Sequence, residues 1–191
     1  MDLQNGNGRG LIPKIVTLAV DEKPGVQAIA NPAPDLPPVP GKYATVARDH
    51  EYKRLGTCSI LAALDLHTGH VIGHVERRHR SPEFIALLKD LGRYYPAECT
   101  IRLVLDHHSA HISKETRAFL ASKPNRFLLA QHRGDPVRQD GAYVPVPRPV
   151  LCHVRVQSWE ELRDGILKGI EEINTDPVVH RWKKFEALTE A

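Results

Sequence analysis

The chain has 191 residues, 41% of them hydrophobic, which suits one domain with a real core. Its 26 Lys and Arg against 23 Asp and Glu give a formal charge of +3, which permits a polyanionic partner without arguing for one. No run approaches the roughly 18 apolar residues of a membrane span. The opening Met1–Gly10 is polar, unlike a signal peptide, so a soluble cytoplasmic protein without membrane partners is expected. Cys58, Cys99 and Cys152 are odd in number, lack metal-type pairing and read as buried thiols.

Residues 1–14 are expected to be poorly ordered, and the domain to begin at Ile15. Ile15–Val20 is an aliphatic and β-branched run that stops at Asp21 and Glu22, the pattern of a buried parallel-type strand delivering a carboxylate at its carboxyl end. Pro24, Pro32, Pro34, Pro37, Pro38 and Pro40 then predict a long, partly extended loop. It closes in the charged run Arg48-Asp-His-Glu-Tyr-Lys-Arg54, which reads as solvated surface or, alternatively, as contact with a nucleic-acid backbone. Thr57–Asp65 and His70–Glu76 flank a His67-Thr-Gly69 turn and predict an antiparallel hairpin.

Ser81 as cap, with Pro82 at the first helical position, opens a helix whose Phe84, Leu87, Leu88 and Leu91 share a buried face, and Tyr94-Tyr95-Pro96 ends it. Thr100–Leu105 repeats the first pattern: an apolar strand running into Asp106, followed by His107, His108 and His111. Ser113 can cap a second helix running through Phe119, Leu120 and Ala121 to Lys123-Pro124, and Arg126–Ala130 predicts a fifth strand. From Gln131 to about Pro149 the composition turns to Gly, Asp, Arg and four prolines without periodicity, which predicts an irregular segment. Ser158-Trp-Glu-Glu161 is a capping-box pattern opening a last helix with Leu162, Ile166, Leu167, Ile170 and Ile173 along one side. The basic, aromatic tail His180–Phe185 reads as a docked terminus or as a DNA-touching one.

A right-handed crossover through the Ser81 helix would return the Asp106 strand parallel to the Asp21 strand and set both carboxylates on one edge of the sheet. Such a pair repels unless a cation lies between them, and an all-oxygen donor set suits Mg²⁺ or Mn²⁺. The plainer alternative is that Asp21 and Asp106 are turn residues that end strands. His108 and His111 have a ligand-like spacing, but no thiolate pattern accompanies them, so orientation of Asp106 or of a substrate phosphate is preferred to zinc binding. Asp65 also ends a strand, but on the hairpin it should point to the opposite edge and serve a turn.

Three stretches, Val20-Asp-Glu-Lys-Pro-Gly-Val-Gln-Ala28, Arg48–Arg54 with Gly56-Thr57, and Leu105-Asp-His-His-Ser-Ala-His111, resemble the DDE transposases of bacterial insertion sequences in the mariner-like superfamily. So do Val156–Leu162 and Ile173–Lys184. The resemblance implies an α/β, RNase H-like mixed sheet flanked by helices over residues 15–191, with an irregular insert at about 128–151. It implies metal-dependent DNA cleavage and strand transfer, with Asp21 and Asp106 as catalytic metal-binding acids and Mg²⁺ (or Mn²⁺) as cofactor. It further implies transposon ends and target DNA as partners, a homodimer as the candidate assembly, and a bacterial cytoplasmic location at the nucleoid when DNA is bound. Arg48, Lys53, Arg54, His107 and His111 are the candidate nucleic-acid contacts.

The chain departs from the family pattern in three places. About fourteen residues precede the first strand, where the family carries helix-turn-helix modules, so recognition of element ends is expected to be missing. Asp106-His107 stands where the family reads Asp-Asn. The family's Ser-Trp-Leu-Asn segment and the Glu that follows it on a helix are absent after the fifth strand. A one-nucleotide shift in codons for such a segment yields Leu129-Ala-Gln-His-Arg-Gly-Asp-Pro136, so a frameshift is expected, with the family frame regained near Leu151 to Val154. Asp135 falls near the lost Glu and is the candidate substitute ligand, although Gly134 and Pro136 argue against a helix there.

Overall fold

The computed structural model describes residues 15–46, 51–106, 108–131 and 155–179. Five strands form one mixed sheet in the order β3-β2-β1-β4-β5. They are β1 (Ile15–Ala30), β2 (Lys53–Asp65), β3 (Val71–Glu76), β4 (Thr100–Leu105) and β5 (Phe127–Gln131). Helix α1 (Ser81–Tyr94) connects β3 to β4, α2 (Lys114–Ala121) connects β4 to β5, and α3 (Trp159–Thr175) follows. β1 pairs antiparallel with β2 and parallel with β4, and β4 pairs parallel with β5. This is the expected RNase H-like arrangement, with β1 and β4 adjacent.

Strand alternation splits the core in two. Val16, Leu18 and Val20 of β1 and Ile101, Leu103 and Leu105 of β4 face α1, where Phe84, Leu87, Leu88 and Leu91 are buried at the predicted helical spacing. On the opposite face Cys58, Ile60, Ala62 and Leu64 of β2 pack against Trp159, Leu162, Ile166 and Ile170 of α3. Cys58 and Cys99 are buried thiols, and burial pushes the Cys58 thiol up from its ordinary pKa. Leu128 on edge strand β5 remains 46% exposed on the face away from α1.

Three boundaries differ from the sequence-based expectation. β1 does not stop at Asp21 but continues through Pro24 to Ala30. The register shifts between Lys23 and Val26, and Gly25 adopts φ +71°, so a bulge absorbs the missing proline N–H. β4 pairs only as far as Ala19, which leaves this part of β1 with a single neighbour. β2 likewise begins at Lys53, four residues before the expected Thr57. The cap of α1 is Arg80 rather than Ser81, because Glu83 reaches back to accept the Arg80 backbone N–H at 2.9 Å and its guanidinium at 2.8 Å. By contrast Ser113 and Ser158 cap α2 and α3 as expected, accepting from Thr116 N and Glu161 N, each at 3.0 Å. No helix among the described residues is long and apolar enough to cross a membrane.

Candidate functional site

The parallel register pairs Leu18 with Leu103 and Ala19 with Val104, and two residues further along each strand come Asp21 and Asp106. Alternation turns Asp21 away from the α1 face that Val20 occupies, and Asp106, the residue after the last of β4, stands level with it at the carboxyl end of the strand pair. Asp21 is exposed, and the Asp106 side chain is 70% exposed. The Asp21 carboxylate accepts the Glu22 backbone N–H at 2.9 Å, and that of Asp106 accepts the His108 backbone N–H at 3.0 Å. Two solvent-accessible carboxylates are an oxygen donor pair, the chemistry that a hard divalent cation such as Mg²⁺ or Mn²⁺ prefers.

Glu22 points to the opposite face, where it meets residues from the β4–α2 connection. A turn closed by the His111 N–H donating to His108 O at 3.0 Å brings the two imidazoles to the same side. Thr116 anchors this turn by donating its hydroxyl to Ala110 O at 2.7 Å. His111 is the centre of the cluster, with only 1% of its side chain exposed and its ring 4.4 Å from that of Phe84. Its Nδ1 lies 3.2 Å from the Asp106 carbonyl and 3.3 Å from Asp106 Oδ1.

The His111 Nε2 lies 2.7 Å from Glu22 Oε1, but that oxygen is off the line of the ring N–H, so the contact is an ion pair without an aligned hydrogen bond. Burial alone would lower the pKa of His111. The close Glu22 carboxylate, followed by the Asp106 carbonyl and carboxylate, outweighs burial and raises it. His108 adds a third group, its Nδ1 4.0 Å from Glu22 Oε1, and its ring lies 4.9 Å from that of His79. His79 is in turn held by a 3.0 Å contact between its Nδ1 and Ser59 Oγ.

Of the residues singled out by sequence, the structure therefore sets His111 against Asp106, with Asp21 level with Asp106 on the neighbouring strand. Lys53 and Arg54 do not join them. They pair with Ala30 and Ile29 at the far end of the β1–β2 hairpin, whereas Asp21 pairs with Ala62. Eight strand residues separate those positions, about 27 Å at strand rise. Arg54 there donates to Tyr52 Oη at 3.2 Å. Arg48, His107 and Asp135 lie outside the described residues.

Asp65 sits at the opposite end of the sheet, as its hairpin position predicts, and its buried carboxylate accepts from His67 N, Thr68 N and Tyr95 Oη. His108, whose ligand-like spacing from His111 is evident in the sequence, joins the cluster, and Glu22 and His79 complete it without having been singled out for it. Glu22 was legible in principle, since alternation after Asp21 turns it to the other face. His79 carries no sequence signal, because only the packing of the β3–α1 connection brings it near.

Three solved structures compare with this chain. A chain of the simian T-cell lymphotropic virus intasome in complex with PP2A regulatory subunit B56 gamma superposes with a TM-score of 0.51 and 15% identity, over 91% of this chain and 52% of that one. The HTLV-2 integrase catalytic core domain in complex with magnesium, in its dimeric form, superposes with a TM-score of 0.50 and 15% identity, over 88% of this chain and 91% of the other. The Mos1 mariner paired end complex with Mn gives 0.49 and 13% identity, over 83% of this chain and 52% of that one. The chain thus spans about half the length of the Mos1 and intasome chains, and its mixed five-stranded sheet flanked by helices is an RNase H-like fold.

No curated protein matches the sequence. The family described as DDE superfamily endonuclease matches residues 21–138, more than half of the chain, and the protein belongs to that family.

Proposed function

We propose that this chain is the metal-dependent DNA endonuclease and strand-transfer domain of a bacterial insertion-sequence transposase, impaired by loss of its third catalytic acid. The observation that carries the proposal is the level placement of Asp21 and Asp106 at the carboxyl ends of adjacent parallel strands. In this reading the two aspartates hold the cofactor. His111, wedged between Glu22 and Asp106, keeps the end of β4 at a fixed distance from β1. A Mg²⁺ or Mn²⁺ ion bound there supplies charge stabilisation to a DNA phosphate and acidifies a bound water. The reaction class is hydrolysis of a phosphodiester to free a 3′-hydroxyl, followed by attack of that hydroxyl on target DNA.

Impairment is proposed because Glu22, the carboxylate next in sequence to Asp21, is engaged with His111 and does not supply a third ligand on the aspartates' face. Asp135 is the proposed substitute. Transposon ends and target DNA are the proposed partners, with Arg48, Lys53, Arg54 and His107 as contacts, in a homodimer associated with the bacterial nucleoid; His111, also expected as a contact, is buried against Phe84 and Glu22 and does not present its ring to a nucleic acid. A frame change between residues 128 and 151 is the proposed origin of the loss; the coding DNA tests it, and a neighbouring frame that does not spell Ser-Trp-Leu-Asn and a Glu refutes it.

The function is tested by nicking of supercoiled plasmid in Mg²⁺ and Mn²⁺. Slow nicking that is abolished in Asp106→Asn is the expected result. The rival reading, a non-catalytic remnant that at most binds DNA or a partner chain, follows if the wild-type chain shows no nicking in either metal.

A further inference from the structure

Outside the aspartate pair, the described residues hold one cluster whose chemistry differs from it: Glu22, His108 and His111, whose potential ligand atoms all lie within 4.8 Å of one another. We propose that these three side chains form a separate site for a borderline divalent transition-metal ion of the Zn²⁺ class, bound through two imidazole nitrogens and one carboxylate oxygen.

Four observations support it. First, two imidazoles and a carboxylate are a donor set that Zn²⁺, Co²⁺ or Ni²⁺ takes readily and that Mg²⁺ does not prefer. Second, the separations suit such an ion. Ligands about 2.0–2.1 Å from a tetrahedral centre are about 3.4 Å apart. The measured Glu22–His111 and Glu22–His108 separations, 2.7 and 4.0 Å, bracket that value, so small side-chain shifts suffice.

Third, His111 Nε2 is a buried nitrogen 2.7 Å from the Glu22 oxygen but without an aligned hydrogen-bond partner. Native interiors rarely leave such an atom, and a metal ion bonded to Nε2 would satisfy it. Its other nitrogen already faces the Asp106 carbonyl at 3.2 Å, the kind of outer contact that fixes the ring of a metal-bound histidine. Fourth, His108 is 32% exposed on its side chain, which gives an ion a route from solvent to the otherwise buried pair. Binding through His108 Nδ1 would displace only the long 3.3 Å contact from the Ala110 N–H.

The site lies at the carboxyl end of β1 and β4 on the α1 side of the sheet, with Asp106 Oδ1 3.3 Å from His111 Nδ1, the ring nitrogen opposite the metal-binding Nε2. An ion there would tie β1, through Glu22, to the turn that follows β4. It would thereby fix the spacing of the two aspartates without using either of them as a ligand.

The test is zinc binding by the full chain, independent of any nuclease activity. Purified metal-free protein is titrated with ZnCl₂ against a chromophoric chelator, and Co²⁺ is added separately to read its visible absorption bands. Wild type is expected to bind one equivalent and to develop the Co²⁺ bands. Loss of an outer-shell partner commonly costs a metal site tenfold to a hundredfold in affinity, so loss of a ligand in His108→Ala should cost roughly a hundredfold or more. His108→Ala is chosen because its partial exposure leaves the core intact, which circular dichroism checks. Asp21→Asn, which removes a proposed Mg²⁺ ligand that is not one of the three zinc ligands, should retain the zinc, separating this site from the proposed Mg²⁺ site. No zinc binding by wild type, or binding unchanged in His108→Ala, overturns the proposal, as does loss of zinc in Asp21→Asn.

Discussion

Arg126 offers a sharp test of how the two halves of the fold are joined. Asn125, in the left-handed region at φ 63°, turns the chain into β5 and sets the Arg126 guanidinium beneath the carboxyl end of α1. There it donates to the carbonyls of Gly92 at 2.9 Å, Tyr95 at 2.7 Å and Pro96 at 2.5 Å, and also to that of Cys99. The last carbonyls of a helix have no partners within it, so one side chain satisfies the end of α1 and the connection to β4 together. Arg126→Met keeps most of the apolar stem and removes the donors. Hydrogen bonds to a charged group are each worth about 1.5–3 kcal/mol. The four here share one cation and leave some carbonyls able to find water, so a total of about 3 kcal/mol is expected rather than the sum. For a domain of this size that lowers Tm by roughly 6–12 °C. Urea unfolding followed by circular dichroism measures it, and a loss below about 1 kcal/mol would refute the role of Arg126 as a cap shared by α1 and β5.

Other substitutions probe the turn, the buried carboxylate and the helix start. Tyr95→Phe removes a 2.8 Å donor to buried Asp65, whose charge together with burial holds the phenol protonated well above its ordinary pKa. A loss of about 1.5–3 kcal/mol in urea unfolding is expected. Gly69→Ala forces a side chain onto a residue at φ +77°, with Val178 O 2.5 Å from the new Cβ; a loss of about 1–3 kcal/mol is expected, measured the same way.

The pH dependence of stability tests the start of α1. Burial would raise the Glu83 pKa, but hydrogen bonds from the Arg80 side chain and backbone outweigh it and hold the carboxyl below its ordinary value. A folded pKa below the unfolded one gives stability that is present above the unfolded value, about 4.3, and is lost as pH falls through the folded one. The acid limb of a stability–pH curve should therefore flatten below about pH 4.3 in Glu83→Gln and stay parallel to wild type above it.

Much of the site could be read from the chain because its key signals are local. An aliphatic run ending in an acid marks both Asp21 and Asp106, and a serine with a suitably spaced partner marks the starts of α2 and α3. Where a boundary went astray, a non-local or competing interaction decided it. Pro24 ordinarily ends a strand, yet a bulge and the absence of a second neighbouring strand let β1 pass through it. Ser81 is a good cap by type, but the reach of Glu83 to the Arg80 backbone moved the cap back by one residue. Histidines 108 and 111 lacked a thiolate companion in sequence. Their carboxylate companion, Glu22, comes from a strand more than eighty residues earlier, joined to them only through the parallel pairing of β1 and β4.

The claim on which the proposed function turns is that Asp21 and Asp106 together hold one divalent ion. Mn²⁺ binding followed by electron paramagnetic resonance measures this directly, in the wild type and in Asp21→Asn, Asp106→Asn and, as a control for the neighbouring imidazoles, His108→Ala. Either aspartate substitution should weaken the site at least about tenfold, since each removes one of two charged ligands, while His108→Ala leaves it unchanged. Mn²⁺ affinity that is indifferent to both aspartate substitutions would contradict a shared carboxylate site.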